Sequence, residues 1–257
     1  MRRPEVLTIF ATLLAAMLAS GAVARDKSSD AETRGKISNT GQINLGLAQS
    51  YFQSNELKEA LDRANLALRS DPESSDVHAM LGLIFNKIGD QPKAEKEFQH
   101  ALALAPTDGG VLNAYGTYLC SRGKSDEADA AFVKAVQDPF YTIPAQALFN
   151  AGKCAHDAGQ MPKAEAYLRR ALEQAPDQGD ILFMLANVEL AQGKYLEARA
   201  FIQRREAVGG PDRAVLELGA RIEDLAGDHA AAKKYRERIE SLSNGANLPT
   251  GEGASQP

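Results

Sequence analysis

Two thiols, four imidazoles and 34 carboxylates are the side chains of this 257-residue chain with chemistry to offer, and their spacing decides which chemistry that is. His78, His100, His156 and His229 are scattered, with no H-E-x-x-H and no His pair at helical spacing, and the two Cys are not clustered, so no metal-ligand set is spelled out. There is no phosphate-cradling Gly-rich loop between a strand and a helix, and no G-x-S-x-G. Carboxylates are abundant, but almost any helical surface brings two within reach, and a pair means nothing without a pocket. Cys120 and Cys154 lack the C-x-x-C spacing of a redox catalyst. The expectation is a protein with no catalytic residue, no metal and no cofactor.

Composition restricts the elements that hold these side chains. The chain is 44% hydrophobic and 25% charged, an ordinary globular balance that excludes disorder throughout. Aromatics make up only 6%, Trp is absent, and Ala and Leu dominate the apolar share, which suits helices and fits a β-sandwich or barrel poorly. With 29 basic against 34 acidic residues the formal charge is -5, and no Lys/Arg run is long enough to follow a phosphate backbone. Nucleic acid is not an expected partner.

Both ends differ from the rest. Arg2 and Arg3 precede the apolar run Val6 to Leu18 and then Ala22-Val23-Ala24, the order of a secretory signal peptide over residues 1-24 with cleavage after Ala24. The run is shorter than the roughly 20 apolar residues of a membrane-spanning helix, so no transmembrane helix is expected in the mature chain. Leu18-Ala19-Ser20 reads like the start of a bacterial lipobox, but Gly21 stands where the lipid-accepting Cys would be. A thioether needs a thiol, so lipidation there is not expected. Residues 25-40 read as a flexible polar tether and residues 247-257 as a disordered tail.

Between the ends the sequence repeats. Helix-ending glycines fall at Gly89, Gly123, Gly159, Gly193 and Gly227, with Asn55 in the equivalent place before them, at steps of 34, 34, 36, 34 and 34. A period of 34 is the signature of the tetratricopeptide helix-turn-helix repeat. The fold expected is therefore all-α, a right-handed solenoid of six units: 41-74, 75-108, 109-144, 145-178, 179-212 and 213-246. In the second unit, Gly82 and Ala94 let two helix backbones approach, Phe85 and Phe98 fill the remaining space, and Pro106 stops the second helix. Tyr51 and Phe132 read as core fillers of the same kind. The sixth unit places Arg236 where an apolar residue is expected and Glu217, Arg221 and Asp224 along its first helix, so it reads as the polar cap.

In this register Cys120 and Cys154 fall in the first helices of the third and fourth units, two places apart. First helices of successive repeats are neighbours, and two places shift the Cα atoms by about 3 Å along the axis. A bridge is then feasible if the two face each other, and an exported protein would oxidise it. Two separate buried thiols are the alternative. The step of 36 has a local cause in Asp138-Pro139-Phe140-Tyr141-Thr142-Ile143-Pro144, where Pro139 ends one helix and Pro144 opens the next.

The chain resembles the PilF/PilW family, the tetratricopeptide pilotin proteins of type IV pilus biogenesis, across nearly all of residues 41-246. The resemblance is most specific in Val111-Leu112-Asn113-Ala114-Tyr115-Gly116-Thr117-Tyr118-Leu119-Cys120, in Asp138-Pro139-Phe140-Tyr141, in Asn150-Ala151-Gly152-Lys153-Cys154 and in Tyr195-Leu196-Glu197-Ala198-Arg199. It implies a periplasm-facing factor that assists assembly or placement of the pilus secretin ring, with the secretin or another pilus component as protein partner. Gly21 departs from the lipoproteins of the family, so attachment at the outer membrane would run through partners. A periplasmic scaffold for a different envelope assembly machine is the alternative function.

A solenoid offers a partner its groove. By repeat register the groove-facing side chains are Gln49, Leu83, Asn86, Asn113, Thr117, Phe149, Lys153, Phe183 and Asn187, a mixture of amide and apolar groups suited to a peptide backbone with a few apolar anchors.

Overall fold

The computed structural model describes residues 37–245. The expected signal peptide, most of the expected tether and the expected tail lie outside the described residues. Within them the chain forms twelve helices and no strand. They pair as α1 (Asn39–Gln53) with α2 (Leu57–Ser70), α3 (Ser75–Ile88) with α4 (Gln91–Leu104), and α5 (Gly109–Ser121) with α6 (Ser125–Gln137). The second half continues with α7 (Pro144–Asp157) and α8 (Met161–Gln174), α9 (Gly179–Ala191) and α10 (Tyr195–Gly209), and α11 (Arg213–Ala226) and α12 (His229–Gly245). First helices of successive pairs also touch one another, which is the connectivity of a tetratricopeptide solenoid.

One turn chemistry makes every pair. Gly89, Gly123, Gly159, Gly193 and Gly227 all have positive φ, between 73° and 95°, and Asn55 at 62° is the only described non-Gly residue in that region. The left-handed residue lets the next amide turn back on the helix: Asp90 N donates to Phe85 O at 2.9 Å, and Lys124 N to Leu119 O at 3.0 Å. Asn is the side chain that tolerates this conformation best after Gly.

The close approach inside each pair depends on a small residue in the first helix. A Cβ at Gly82 would lie 2.7 Å from the Phe98 ring, one at Gly116 2.8 Å from Phe132, and one at Gly152 2.6 Å from Leu168. Phe98 and Phe132 are fully buried, as the spacing predicts, whereas Tyr51 and Phe85 are half-buried and pack on the edge of the core. The sixth pair reaches the same packing one place earlier. Gly219 faces Tyr235, whose ring would lie 2.6 Å from a Cβ there, and Arg236 is turned outward to pair with Asp224. Thus the polar residue at the expected apolar place does not open the core, because Tyr235 fills it.

The expected tether ends earlier than residue 40. Ser38 caps α1 by accepting from Gly41 N at 3.1 Å, its own N–H and hydroxyl both donate to the Asp71 carboxylate, and Ile37 packs on the first core cluster. Ser74, Asp108 and Asp212 cap α3, α5 and α11 in the same way. The starts of α7 and α9, at Ile143 and Gln178, have no side-chain cap.

The insertion after α6 is held by one carboxylate. Asp138 accepts from Gly109 N at 2.8 Å and from Phe140 N at 2.9 Å, which folds the Pro139-Phe140-Tyr141 corner against the start of α5. Tyr141 packs so closely on Gly109 that a Cβ there would lie 2.5 Å from it. Burial, reinforced by the Asp108 charge, pushes the Tyr141 hydroxyl up to about 12.

Candidate partner-binding groove

Counting back from each turn places the predicted groove residues in rows across the first helices. Gln49, Leu83, Thr117, Lys153 and Asn187 each precede the turn residue of their repeat by the same distance, and Asn113, Phe149 and Phe183 form a second row one helical turn earlier. Gln49 and Lys153 are exposed, and the other members are half-buried.

Several of these side chains hold the stack as well as facing outward. Asn86 Nδ2 donates to Ser121 Oγ in the next repeat at 3.0 Å, and Asn150 Nδ2 donates to Asn113 Oδ1 across the third and fourth repeats at 2.9 Å. Thr117 donates to the Asn113 carbonyl, Asn187 to the Phe183 carbonyl, and Lys153 pairs with Asp157 at 2.6 Å. Leu83, Phe149 and Phe183 pack against three different core clusters. The two Phe rings are therefore partly structural and are not free anchors. Ser121 and Asn150 complete these bonds and escape sequence reasoning, because nothing local marks which amide meets which.

Cys120 and Cys154 form a disulfide with Cα atoms 5.7 Å apart. It ties α5 to α7, the first helices on either side of the insertion, where the repeat step is irregular. Cys154 is buried and Cys120 half-buried, and Cys120 stands at the repeat place that Asn86 takes in the second pair.

Beside the insertion lies an open cleft of about 390 Å³. Thr142, Ile143 and Pro144 form one part of its lining and Gln146 and Phe149 of α7 another, and Gln174 at the end of α8 with Gln178, Asp180 and Ile181 lies among the remainder. The starts of α7 and α9, the two first helices without a side-chain cap, both border it. Phe149 is the predicted groove residue that the cleft takes in. Ile143 and Asp180 were not singled out by sequence, although the two-residue excess in the repeat step marks the place.

Further along the array, charge is buried between repeats. Glu189 has no exposed surface and lies 2.6 Å from Arg169 Nη2 and 3.3 Å from Lys194 Nζ. Burial, with the nearby Glu165 charge, raises the Glu189 carboxyl above its ordinary value. Burial acts on Glu165 in the same direction, but hydrogen bonds from Lys194, Gln192 and Arg169 outweigh it and bring that carboxyl down to about 2. Tyr118 and Tyr167 donate across repeats to Glu95 and Asp129, at 2.8 and 2.7 Å. Burial first, and then these carboxylates, push both phenols up to about 12. His78 bridges Glu97 and the Pro72 carbonyl and stacks on His100 with centroids 4.0 Å apart. Among the described residues no three His, Cys, Asp or Glu side chains gather as a metal site. No described helix is long and apolar enough to cross a membrane.

Comparison with known proteins matches this geometry. Models of the tetratricopeptide repeat match residues 45–109 and 116–179, and a further one matches residues 155–222. The type IV pilus assembly protein PilF of Pseudomonas aeruginosa is 27% identical over 200 residues, which is 78% of this chain and 79% of that protein. The crystal structure of PilW, described as a widely conserved type IV pilus biogenesis factor, superposes with a TM-score of 0.70 at 29% identity, covering 84% of this chain and 96% of PilW. The solved structure of Pseudomonas aeruginosa PilF gives a TM-score of 0.64 at 25% identity over 84% of this chain and 95% of that one.

Proposed function

The chain belongs to the tetratricopeptide-repeat family, and on that premise we propose that it is a non-enzymatic assembly factor of type IV pilus biogenesis, assisting secretin assembly through peptide binding along its first helices. The observation that carries this reading is the extent of the likeness to PilW: it takes in 96% of the solved PilW chain, so it concerns a whole array and not one shared repeat. The similarity to PilF across 79% of that protein runs in the same direction.

The face itself supports a peptide as ligand. Exposed Gln49 and Lys153 and half-buried amides and apolar groups alternate along it, so a backbone finds donors and acceptors while occasional side chains find apolar contact. On this reading the protein works in the periplasm, and the missing thiol at Gly21 leaves protein contact as its hold on the outer membrane.

Site-directed photo-crosslinking in cells tests this. A photoreactive residue replacing Lys153, on the first-helix face, should give an adduct containing the secretin or another pilus component. The same residue replacing exposed Lys134, on a second helix, should not. Equal adducts from both positions, or none with a pilus component, would contradict the reading.

A further inference from the structure

The cleft beside the insertion sharpens the peptide-binding reading, on which the following inference rests. Three carboxamides, Gln146, Gln174 and Gln178, lie among its lining residues. A carboxamide donates and accepts as a peptide bond does, so a set of them beside an apolar slot matches an extended backbone carrying one bulky apolar side chain. The apolar surface of the slot comes from Ile143 and Phe149, since Ile181, although it borders the cleft, is buried in the core. Ile143 is 57% exposed, so its surface stands in water and gains by being covered. It exists because of the two extra residues in the repeat step, since a regular step leaves no room for Thr142 and Ile143 between the third and fourth pairs.

Charge narrows the occupant. Asp180 is the only charged side chain lining the cleft, and it is exposed with no ion pair among the described residues. Asp177 on the adjoining turn is likewise exposed and unpaired. Of the nearby cations, Lys153 is neutralised by Asp157 and Arg205 by Asp212, while Arg204, bonded to the uncharged Pro176 carbonyl, offsets one of the two carboxylates and leaves a single negative charge in excess. The mouth of the cleft is therefore acidic and attracts a cation.

We propose that this cleft binds an extended segment of a protein partner in which a bulky apolar side chain stands beside a Lys or Arg, the apolar group against Ile143 and Phe149 and the cation against Asp180.

The test uses labelled synthetic heptapeptides and the purified protein, followed by fluorescence anisotropy. One peptide carries Leu between two Lys, a second has Ala for the Leu, and a third has Glu for both Lys. The first should bind at least tenfold more tightly than the other two. Ile143→Asp and Asp180→Lys, both at exposed positions, should each weaken it at least tenfold while the helical circular dichroism and melting temperature stay close to the parent. Asp180→Lys should also tighten the Glu-bearing peptide, and Asp180→Asn should give an intermediate loss. Failure of the first peptide to bind, equal binding of all three, or indifference to Ile143→Asp would overturn the proposal. A cellular arm separates it from the broader reading. If deletion abolishes secretin multimers and a chain carrying Ile143→Asp with Asp180→Lys restores them fully, the cleft proposal falls and the pilus reading stands. If deletion leaves the multimers intact, the pilus reading falls and the peptide measurement alone decides the cleft.

Discussion

Glu189 and Glu223 occupy the same place in successive repeats, each four residues before a turn glycine, and each is buried against a guanidinium from the preceding second helix, Arg169 for one and Arg199 for the other. In the four earlier repeats that place holds Tyr51, Phe85, Leu119 and Ala155. At this one place the last two repeats meet the preceding helix through charge, where the earlier repeats present an apolar or aromatic side chain.

Removing Arg169 leaves the buried Glu189 with Lys194 alone as counter-charge, whereas removing both Arg169 and Glu189 leaves no buried carboxylate short of a partner. Arg169→Met is expected to destabilise the protein by about 1–3 kcal/mol. Arg169→Met with Glu189→Leu should recover most of that loss. Denaturant unfolding of the two variants checks the order; a double variant no better than the single would contradict it.

Acid should act on the same cluster through Glu165. Its folded carboxyl is held at about 2, below the ordinary value of 4.5, so its contribution is present above pH 4.5 and is lost as pH falls towards 2. Glu189 is raised and works with the opposite sign, its contribution being lost as pH rises. The melting temperature of Glu165→Gln should therefore lie below that of the parent at neutral pH, and the gap should close on acidification.

Alkali should act through the phenols. Tyr118, Tyr141, Tyr167 and Tyr235 are all raised from 10 to about 12 in the fold, so their stabilisation is complete below pH 10 and disappears as pH rises from 10 to 12. The melting temperature should fall across that interval, and phenolate absorbance should appear later than in the unfolded chain. Tyr118→Phe with Tyr167→Phe should flatten the fall.

The glycine of each first helix and the large residue facing it should behave as coupled pairs. Gly116→Ala places a methyl against the Phe132 ring and is expected to cost about 1–3 kcal/mol. The fifth repeat carries Ala186 and Ile202 in the same two places within one core cluster. Gly116→Ala with Phe132→Ile should accordingly be less unstable than Gly116→Ala alone, which a thermal melt of both variants decides.

The disulfide closes a loop across the irregular junction, with a sequence separation of 34. The chain-entropy model gives up to about 4 kcal/mol for such a loop. Cys120→Ser with Cys154→Ser should lower the melting temperature and leave helical content at low temperature unchanged. Identical melting of reduced and oxidised protein would show that the bridge contributes nothing.

Much of this architecture was legible in the residues because its determinants are local and recur. A left-handed turn residue at a fixed step announces itself as Gly or Asn, and the two-residue excess at Asp138 to Pro144 shows directly in the count. Register also placed Cys120 and Cys154 on neighbouring helices. What escaped depends on contacts between repeats. Arg236 falls where an apolar residue belongs, and nothing in one repeat reveals that Tyr235 takes its place by pairing with Gly219. Glu189 and Glu223 look like surface residues until Arg169 and Arg199 are brought over them. Phe149 and Phe183 face the groove by register, yet neighbouring helices bury one side of each ring. The cleft at Ile143 and Asp180 joins residues from two repeats and has no signature in either.

The most direct test of the proposed function is the amount of detergent-resistant secretin multimer in a clean deletion strain, measured beside the total amount of secretin. Multimers and surface pili should fall sharply while secretin monomer stays roughly constant, and the full chain supplied in trans should restore them. Undiminished multimers and pili in the deletion strain would contradict that function.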